Sequence, residues 1–444
     1  MSDQYDYDVL RIGSGPGGYV AGIRAGQLGL KVGVVEKEAP GGVCLNWGCI
    51  PSKSLIHQAE IFHYTKNLEA MGVKVDRSTL EYAKVYQKSR DAAKALSKGV
   101  RGLLKKNKVD YIEGEAKFSN AHELELDGSK KLSAANILIA TGSRPREIPG
   151  FEIDEKDVLS STGILSLQEL PKRLVILGAG AIGMEFAYVM NAFGVEVTVV
   201  EMLDSILPLE DGDVVDVVRK DFKSHGITMM TSTKATALER GKGGVTITVE
   251  DKEGKSRKLE ADKLLVAVGR APNSENIGLE NVGIKSDRGF IPVGDYYQTS
   301  VKGVYAIGDV TPSPLLAHVA SKEGEIAVEY IAGPSGFGTA ANFDNATNGN
   351  DGEGSALSSA DGLTSSLVGL SALTIEAFVF VETDTTLSGA NNIFRKSDQS
   401  YDGISGDLDD GYTLVLVDGQ LQIRLGRGGQ DPNATDDFAA VRAD

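Results

Sequence analysis

Two glycine-rich turns of the same design, one opening at Gly13 and the other at Gly178, constrain this 444-residue chain more than any other feature. The first, Gly13-Ser-Gly15-Pro-Gly-Gly18, follows a short strand read at residues 6–12 and opens a helix read over residues 20–28. The second, Gly178-Ala-Gly180-Ala-Ile-Gly183, sits the same way between residues 173–177 and 181–193. In such a turn the first glycine makes the tight bend. The second lets a pyrophosphate approach the positive end of the helix, and the third lets helix and sheet pack closely. An acid completes each unit. Glu36 follows Gly18, and Glu201 follows Gly183, at one and the same spacing, at the ends of strands read at residues 31–36 and 196–201. Each is placed to bond a ribose hydroxyl, and Glu201 would repel a 2′-phosphate. Residues 202–207 offer no Arg to hold one, so the second site reads as NAD rather than NADP. Strands separated by helices give parallel sheets. The fold class is therefore α/β, with two doubly wound dinucleotide-binding (Rossmann-like) domains.

Charge divides the chain near residue 333. Residues 334–444 carry 5 Lys and Arg against 17 Asp and Glu, a net of −12; residues 1–333 carry 41 against 45. The overall net of −16 argues against nucleic acid or an anionic membrane surface as partner. No apolar run reaches the roughly 18 residues of a membrane span, and the acidic start is unlike a targeting peptide. A cytoplasmic location is expected. Residues 334–361, rich in Gly, Asn, Ser, Asp and Ala, read as linker. Beyond them, residues 373–382 alternate as a half-buried strand does, and residues 412–417 and 420–425 flank Asp418-Gly419, a hairpin signal. Asp402, Asp407, Asp409 and Asp410 read as a solvated acidic loop rather than calcium ligands, and no metal site is expected.

The only cysteines are Cys44 and Cys49, in Gly41-Gly-Val-Cys44-Leu-Asn-Trp-Gly-Cys49-Ile-Pro-Ser-Lys53. A five-residue step on a regular helix turns about 140°, so bridging them needs a local distortion. A strained, accessible disulfide is a redox group rather than a staple. Zinc is a poor alternative, because no second Cys or His pair at ligand spacing accompanies them.

This motif resembles that of the flavoprotein disulfide reductases, and its Cys-Leu-Asn-x-Gly-Cys-Ile-Pro-Ser-Lys form is most similar to the dihydrolipoamide dehydrogenases. The resemblance covers about residues 5–333. It implies FAD and NAD as cofactors, with electrons passing from dihydrolipoyl thiols through the cysteines and FAD to NAD⁺. Cys44 would carry the thiol interchange and Cys49 would face FAD. Lys53 would sit near the reactive flavin nitrogen, paired with Glu185. Gly13, Gly15, Gly18 and Glu36 would hold the ADP part of FAD. Thr141-Gly142 would lie where the chain crosses between domains, Asp309 on the ribityl chain, and Ala317-His318 in a helix starting near the flavin. Gly178, Gly180, Gly183 and Glu201 would hold NAD, with Gly269 in the segment returning to the FAD domain.

The implied FAD domain spans residues 1–150 and 274–333, and the NAD domain residues 151–273. A linker over residues 334–366 and a β-rich segment over residues 367–444 follow. The implied partner is the lipoyl-bearing acyltransferase of a 2-oxoacid dehydrogenase complex.

Family members continue with a dimerisation domain that supplies a His–Glu base to the partner's active site. Here the five His stand at 57, 63, 122, 225 and 318, with none later. The leading expectation is a dihydrolipoamide dehydrogenase-like oxidoreductase that lacks this base and the dimer surface; thiol attack without a positioned base typically forfeits on the order of 10²–10⁴ in rate. The alternatives are an NADH-dependent diaphorase and a chimeric chain. The tail resembles part of a laminin-G or concanavalin-like sandwich in Gly336-Phe-Gly, Phe343-Asp344 and Leu373-Thr-Ile-Glu-Ala, which would bind a carbohydrate or a surface. Arg11, in a strand that wants apolar residues, is expected at a sheet edge or reaching solvent. Gly22 and Gly26 weaken the helix that follows by about 1 kcal/mol each.

Overall fold

The computed structural model describes residues 5–333 and, further on, the backbone of four strands, Asn391–Lys396, Gly411–Val417, Gln420–Gly426 and Phe438–Arg442. Two compact units divide after Gly349.

The first unit contains two parallel sheets, each begun by one of the glycine turns. In the first sheet Tyr7–Ile12 is central, with Val32–Glu36 on one side and Lys130–Ile139 on the other. Asp110–Glu113 extends it beyond Val32–Glu36, and Val304–Ala306 joins along Lys130–Ile139. In the second, Arg173–Leu177 is central, between Glu196–Val200 and Lys263–Val266, with Thr228–Met230 and Val158–Leu159 at the edges. In both, the chain leaves the central strand, builds to one side and later returns to the other. That reversal opens a crevice at the strands' carboxyl ends, where both glycine turns lie. Val9, Leu10 and Ile12 in one central strand and Leu174–Leu177 in the other are apolar because a sheet covered on both faces buries its central positions.

The helices start where the turns end. Pro16–Gln27 begins earlier than the sequence suggests, because Pro16 stands at the first helical positions, where its missing N–H costs nothing. Ala181–Ala192 ends just short of expectation.

Arg11 lies neither at a sheet edge nor in solvent. Its strand is central, the residue is 0% exposed, and Nε, Nη1 and Nη2 have no hydrogen-bond partner. Room for the guanidinium comes from Gly22: a Cβ there would lie 1.9 Å from Arg11 Nη2. Gly26 is small for a different reason, because a Cβ would meet the Asn107 carbonyl at 2.4 Å.

In the second unit the four strands form one antiparallel sheet in chain order. The hairpin expected around residues 418–419 is present as the pairing of Gly411–Val417 with Gln420–Gly426. The turn itself, the strand read at 373–382, the linker, the acidic loop and the sandwich-like segments at 336–344 lie outside the described residues.

Candidate active site

The two glycine turns are alike in what they leave open. Gly13 and Gly178 have φ of 101° and 99°, a region that disfavours side chains. A Cβ at either would run into the carbonyl of the neighbouring strand's end, Ala140 or Ala267, at 2.3 and 2.4 Å. A Cβ at Gly18 or Gly183 would strike the carbonyl of the first glycine at 2.2 and 2.1 Å. Only at the middle glycines, Gly15 and Gly180, would a Cβ meet nothing. Each turn therefore keeps one open cradle at a helix N-terminus, which is what a pyrophosphate needs.

The acids occupy matching places. Glu36 accepts from Ser14 N and Ser14 Oγ, both at 2.8 Å, and from Glu38 N at 2.9 Å. Glu201 accepts from Ala179 N at 2.7 Å and Leu203 N at 2.8 Å. Both carboxylates thus brace the residue between the first two glycines. Beyond Glu201 a shallow pocket of about 540 Å³ is lined by Asp204, Glu250 and Asp251 against Lys234 and Lys252, a net-acidic wall unsuited to a 2′-phosphate.

A cleft of about 760 Å³ runs from the first turn to the cysteines. Gly13, Gly15, Gly18, Glu36, Thr141, Gly142, Asp309, Ala317 and His318 all line it, as do Cys44, Cys49, Lys53 and Glu185. Gly178, Gly180, Gly183, Glu201 and Gly269 do not. The second turn meets the cleft only through the start of its helix, at Ala181, Ile182, Glu185 and Phe186.

Cys44 and Cys49 form a disulfide with Cα atoms 4.6 Å apart. The expected distortion has a definite location. Helix Gly42–Trp47 ends, Gly48 leaves the helical conformation at φ −150° and ψ −113°, and Cys49 begins the helix Cys49–Ala70. Cys49 is exposed and Cys44 half-buried. One turn further, Lys53 forms an ion pair with Glu185 from Ala181–Ala192, joining the disulfide's helix to that of the second fingerprint.

The two chain crossings also meet. Ser143–Pro145 pairs antiparallel with Arg270–Pro272. Thr141 Oγ1 donates to the Asn273 carbonyl at 2.7 Å, and Asn273 Nδ2 returns a bond to Thr141 O at 3.0 Å. Ser143, which the sequence did not single out, donates to Asp309 at 2.5 Å and accepts from Arg270 Nε at 2.6 Å. Asp309 is thereby fixed at the cleft wall. Burial lowers the pKa of Arg270, while nearby Asp309 opposes that shift. Glu323 was also missed. It is 2% exposed and accepts from Gly308 N at 2.5 Å, so it holds the turn that carries Asp309. Its spacing from Asp309 across a helix start gave no periodic signal. Among the described residues, His318 is the one histidine lining the cleft, and no cluster suited to a metal ion occurs.

A chain with two such turns and a disulfide in the cleft that begins at one of them defines a class: a nucleotide-dependent disulfide oxidoreductase. A sequence profile of the pyridine nucleotide-disulphide oxidoreductases matches residues 7–324, and the chain belongs to that family. It is 44% identical over 346 residues to a dihydrolipoyl dehydrogenase of Rhizobium etli, covering 74% of this chain and 72% of that one. The figure is also 44% over 330 residues for that of Geobacillus stearothermophilus, with 73% and 70% covered. Among solved structures, LpdA from Mycobacterium tuberculosis matches with a TM-score of 0.67 and 28% identity, over 72% of each chain. The HOCl-induced flavoprotein disulfide reductase RclA from Escherichia coli matches at 0.64 and 28%, over 73% of this chain and 71% of its own.

Proposed function

We propose that this chain is an FAD-dependent dihydrolipoyl dehydrogenase, oxidising dihydrolipoyl thiols and delivering the electrons to NAD⁺. The observation that carries the reading is the Cys44–Cys49 disulfide lining the same cleft as Gly15, whose Cβ direction is open. The residues fit FAD: Gly15 and the helix behind it suit the pyrophosphate, Glu36 the ribose, and Asp309 a hydroxylated chain. When bound, FAD supplies a two-electron acceptor between the dithiol and NAD⁺. NAD is assigned to Gly178, Gly180, Gly183 and Glu201. Residues 1–150 and 274–333 would form the FAD domain, and residues 151–273 the NAD domain.

The protein's own chemistry is thiol–disulfide exchange. A substrate thiolate attacks Cys44 Sγ, forming a mixed disulfide and releasing Cys49 as thiolate. The second substrate thiolate then attacks the substrate sulfur of that mixed disulfide, closing the cyclic disulfide and releasing Cys44. Two electrons leave the substrate and reside on the two cysteines; its two protons pass to the thiolates or to solvent. Lys53, oriented by Glu185, presents a fixed positive charge to the cleft where negative charge develops. Exposure alone would make Cys49 the point of attack; the choice of Cys44 rests on the family resemblance. The partner would be a lipoyl-bearing acyltransferase of a 2-oxoacid dehydrogenase complex. The location we propose is the cytoplasm, and the homodimer usual in the family is left unassigned because its interface domain has no counterpart in the sequence.

The test is NAD⁺ reduction by dihydrolipoamide with flavin-loaded protein. Turnover that disappears in both Cys44→Ser and Cys49→Ser supports the reading, whatever its absolute rate. Turnover with dyes alone, indifferent to both substitutions, would sink it. The roles are separated by labelling with a lipoyl disulfide. Cys49→Ser, which keeps Cys44, should form the mixed disulfide faster than Cys44→Ser.

A further inference from the structure

The helix Tyr82–Lys106 belongs to neither glycine turn, yet it grips the cysteine segment from behind. Arg90 Nη2 donates to the Asn46 carbonyl at 2.8 Å, and the same guanidinium lies 5.0 Å from the centre of the Trp47 ring. Two turns further on, Ser97 Oγ donates to the Pro40 carbonyl at 2.7 Å. Within the segment, Asn46 Nδ2 ties back to Pro40 O at 3.0 Å and Gly42 O at 2.9 Å. Arg90 Nε is buried without an acceptor, so Asn46 O and the Trp47 face are what set the group's position.

These contacts fall between the two cysteines. Asn46 and Trp47 are the last residues before Gly48, where the backbone must leave the helix for Cys49 to reach Cys44. A cation at the C-terminal end of a short helix is favoured by the carbonyls exposed there. A planar guanidinium can serve a carbonyl and an aromatic face together, which an ammonium does poorly.

We propose that Arg90 is a positioning residue for the redox pair. It holds residues 46–47 in the conformation from which the two sulfurs meet, in the dithiol as well as in the disulfide. This rests on the proposed role of the cysteines in catalysis. Its physical content is effective concentration: a reduced segment held in place loses little freedom on closing. Without the clamp the dithiol samples other conformations, and closure becomes less favourable.

The experiment is equilibration of the holoprotein in dithiothreitol buffers of graded ratio, with alkylation and mass counting of free thiols. In this exchange dithiothreitol is oxidised to its cyclic disulfide as Cys44–Cys49 is reduced. Arg90→Met should move the equilibrium toward the dithiol by about tenfold, the effect of one further residue's backbone having to be ordered on closure. Arg90→Lys should fall between. Trp47→Leu, which removes the other half of the clamp, should shift the same way and serves if Arg90→Met does not fold. Trp47 is the chain's single tryptophan, so its emission also reports whether the guanidinium still covers the ring. An equilibrium that is unchanged in Arg90→Lys and Trp47→Leu, or one that moves toward the disulfide, overturns the proposal. Wild-type protein that closes its disulfide normally but fails to reduce NAD⁺ would instead count against the proposed function, leaving the clamp intact.

Discussion

Arg11 is a charge in the wrong solvent. It is enclosed between the first sheet and the helix Pro16–Gln27, with no acceptor for any of its three guanidinium nitrogens, and burial pushes its pKa down to about 9. An uncompensated buried charge costs about 3–5 kcal/mol, so Arg11→Leu should raise stability to denaturant by an amount of that order. Gly22→Ala alone should be destabilising, because its methyl would force the enclosed guanidinium to shift. Gly22→Ala joined to Arg11→Leu should be tolerated, and the difference measures their coupling. The pH dependence has a definite sign. The folded pKa lies below that of the unfolded chain, so above pH 9 the unfolded state holds a proton the native state has shed. The penalty is complete below pH 9 and shrinks as pH rises above it, which denaturant titrations of wild type against Arg11→Leu would show. Gly15 makes the complementary case. Its Cβ direction is empty, so Gly15→Val should keep the fold by circular dichroism and lose flavin binding, as read from the visible spectrum.

Among elements, the helix Cys49–Ala70 joins distant parts of the site. It starts at the disulfide, carries Lys53 to Glu185, and near its far end sets His63 edge-on to His225 at 4.7 Å between ring centres. His225 follows the helix Gly212–Ser224 and faces Asp221 at 3.4 Å. Burial first, then Lys66, His225 and Arg77, hold the His63 pKa below the usual imidazole value, with Asp221 opposing. The unfolded chain therefore takes up the proton first as pH falls, and stability is lost from about pH 6.5 downward. His63→Phe should flatten the fall in melting temperature between pH 7 and 5.

What the sequence disclosed follows from how local each signal is. The glycine turns, their strands and their acids are short-range patterns, and all appear where they were read. The Lys53–Glu185 pair came from resemblance, because its partners stand on helices far apart in the chain. Ser143, Glu323 and Arg90 escaped notice because their roles depend on which crossing, turn or helix they meet in space. Arg11 was recognised as out of place, but only the strand order shows it is central rather than marginal.

At the scale of the molecule, both glycine turns open at reversals of strand order, and the cleft reaches from one turn to the start of the other's helix. A ligand that bridges so many separate segments binds only the folded chain. FAD at a hundred times its dissociation constant should therefore add about 2.7 kcal/mol, visible as a melting temperature that rises with flavin concentration. Addition of NAD⁺ should shift it further if the second turn is an independent site. An effect of NAD⁺ that vanishes in Glu201→Ala while the effect of FAD persists would assign the sites separately.

The carboxylate to which we assign the choice of coenzyme is also a strut. Glu201 spans from Ala179 to Leu203 and keeps the second turn open at Gly180. A redesign toward a phosphorylated coenzyme that discards this acid discards the scaffolding with it. Such a swap succeeds only if the new side chain, or the incoming phosphate itself, takes over both backbone amides. On that assignment, selectivity and rigidity rest on the same two oxygen atoms, so neither can be altered alone.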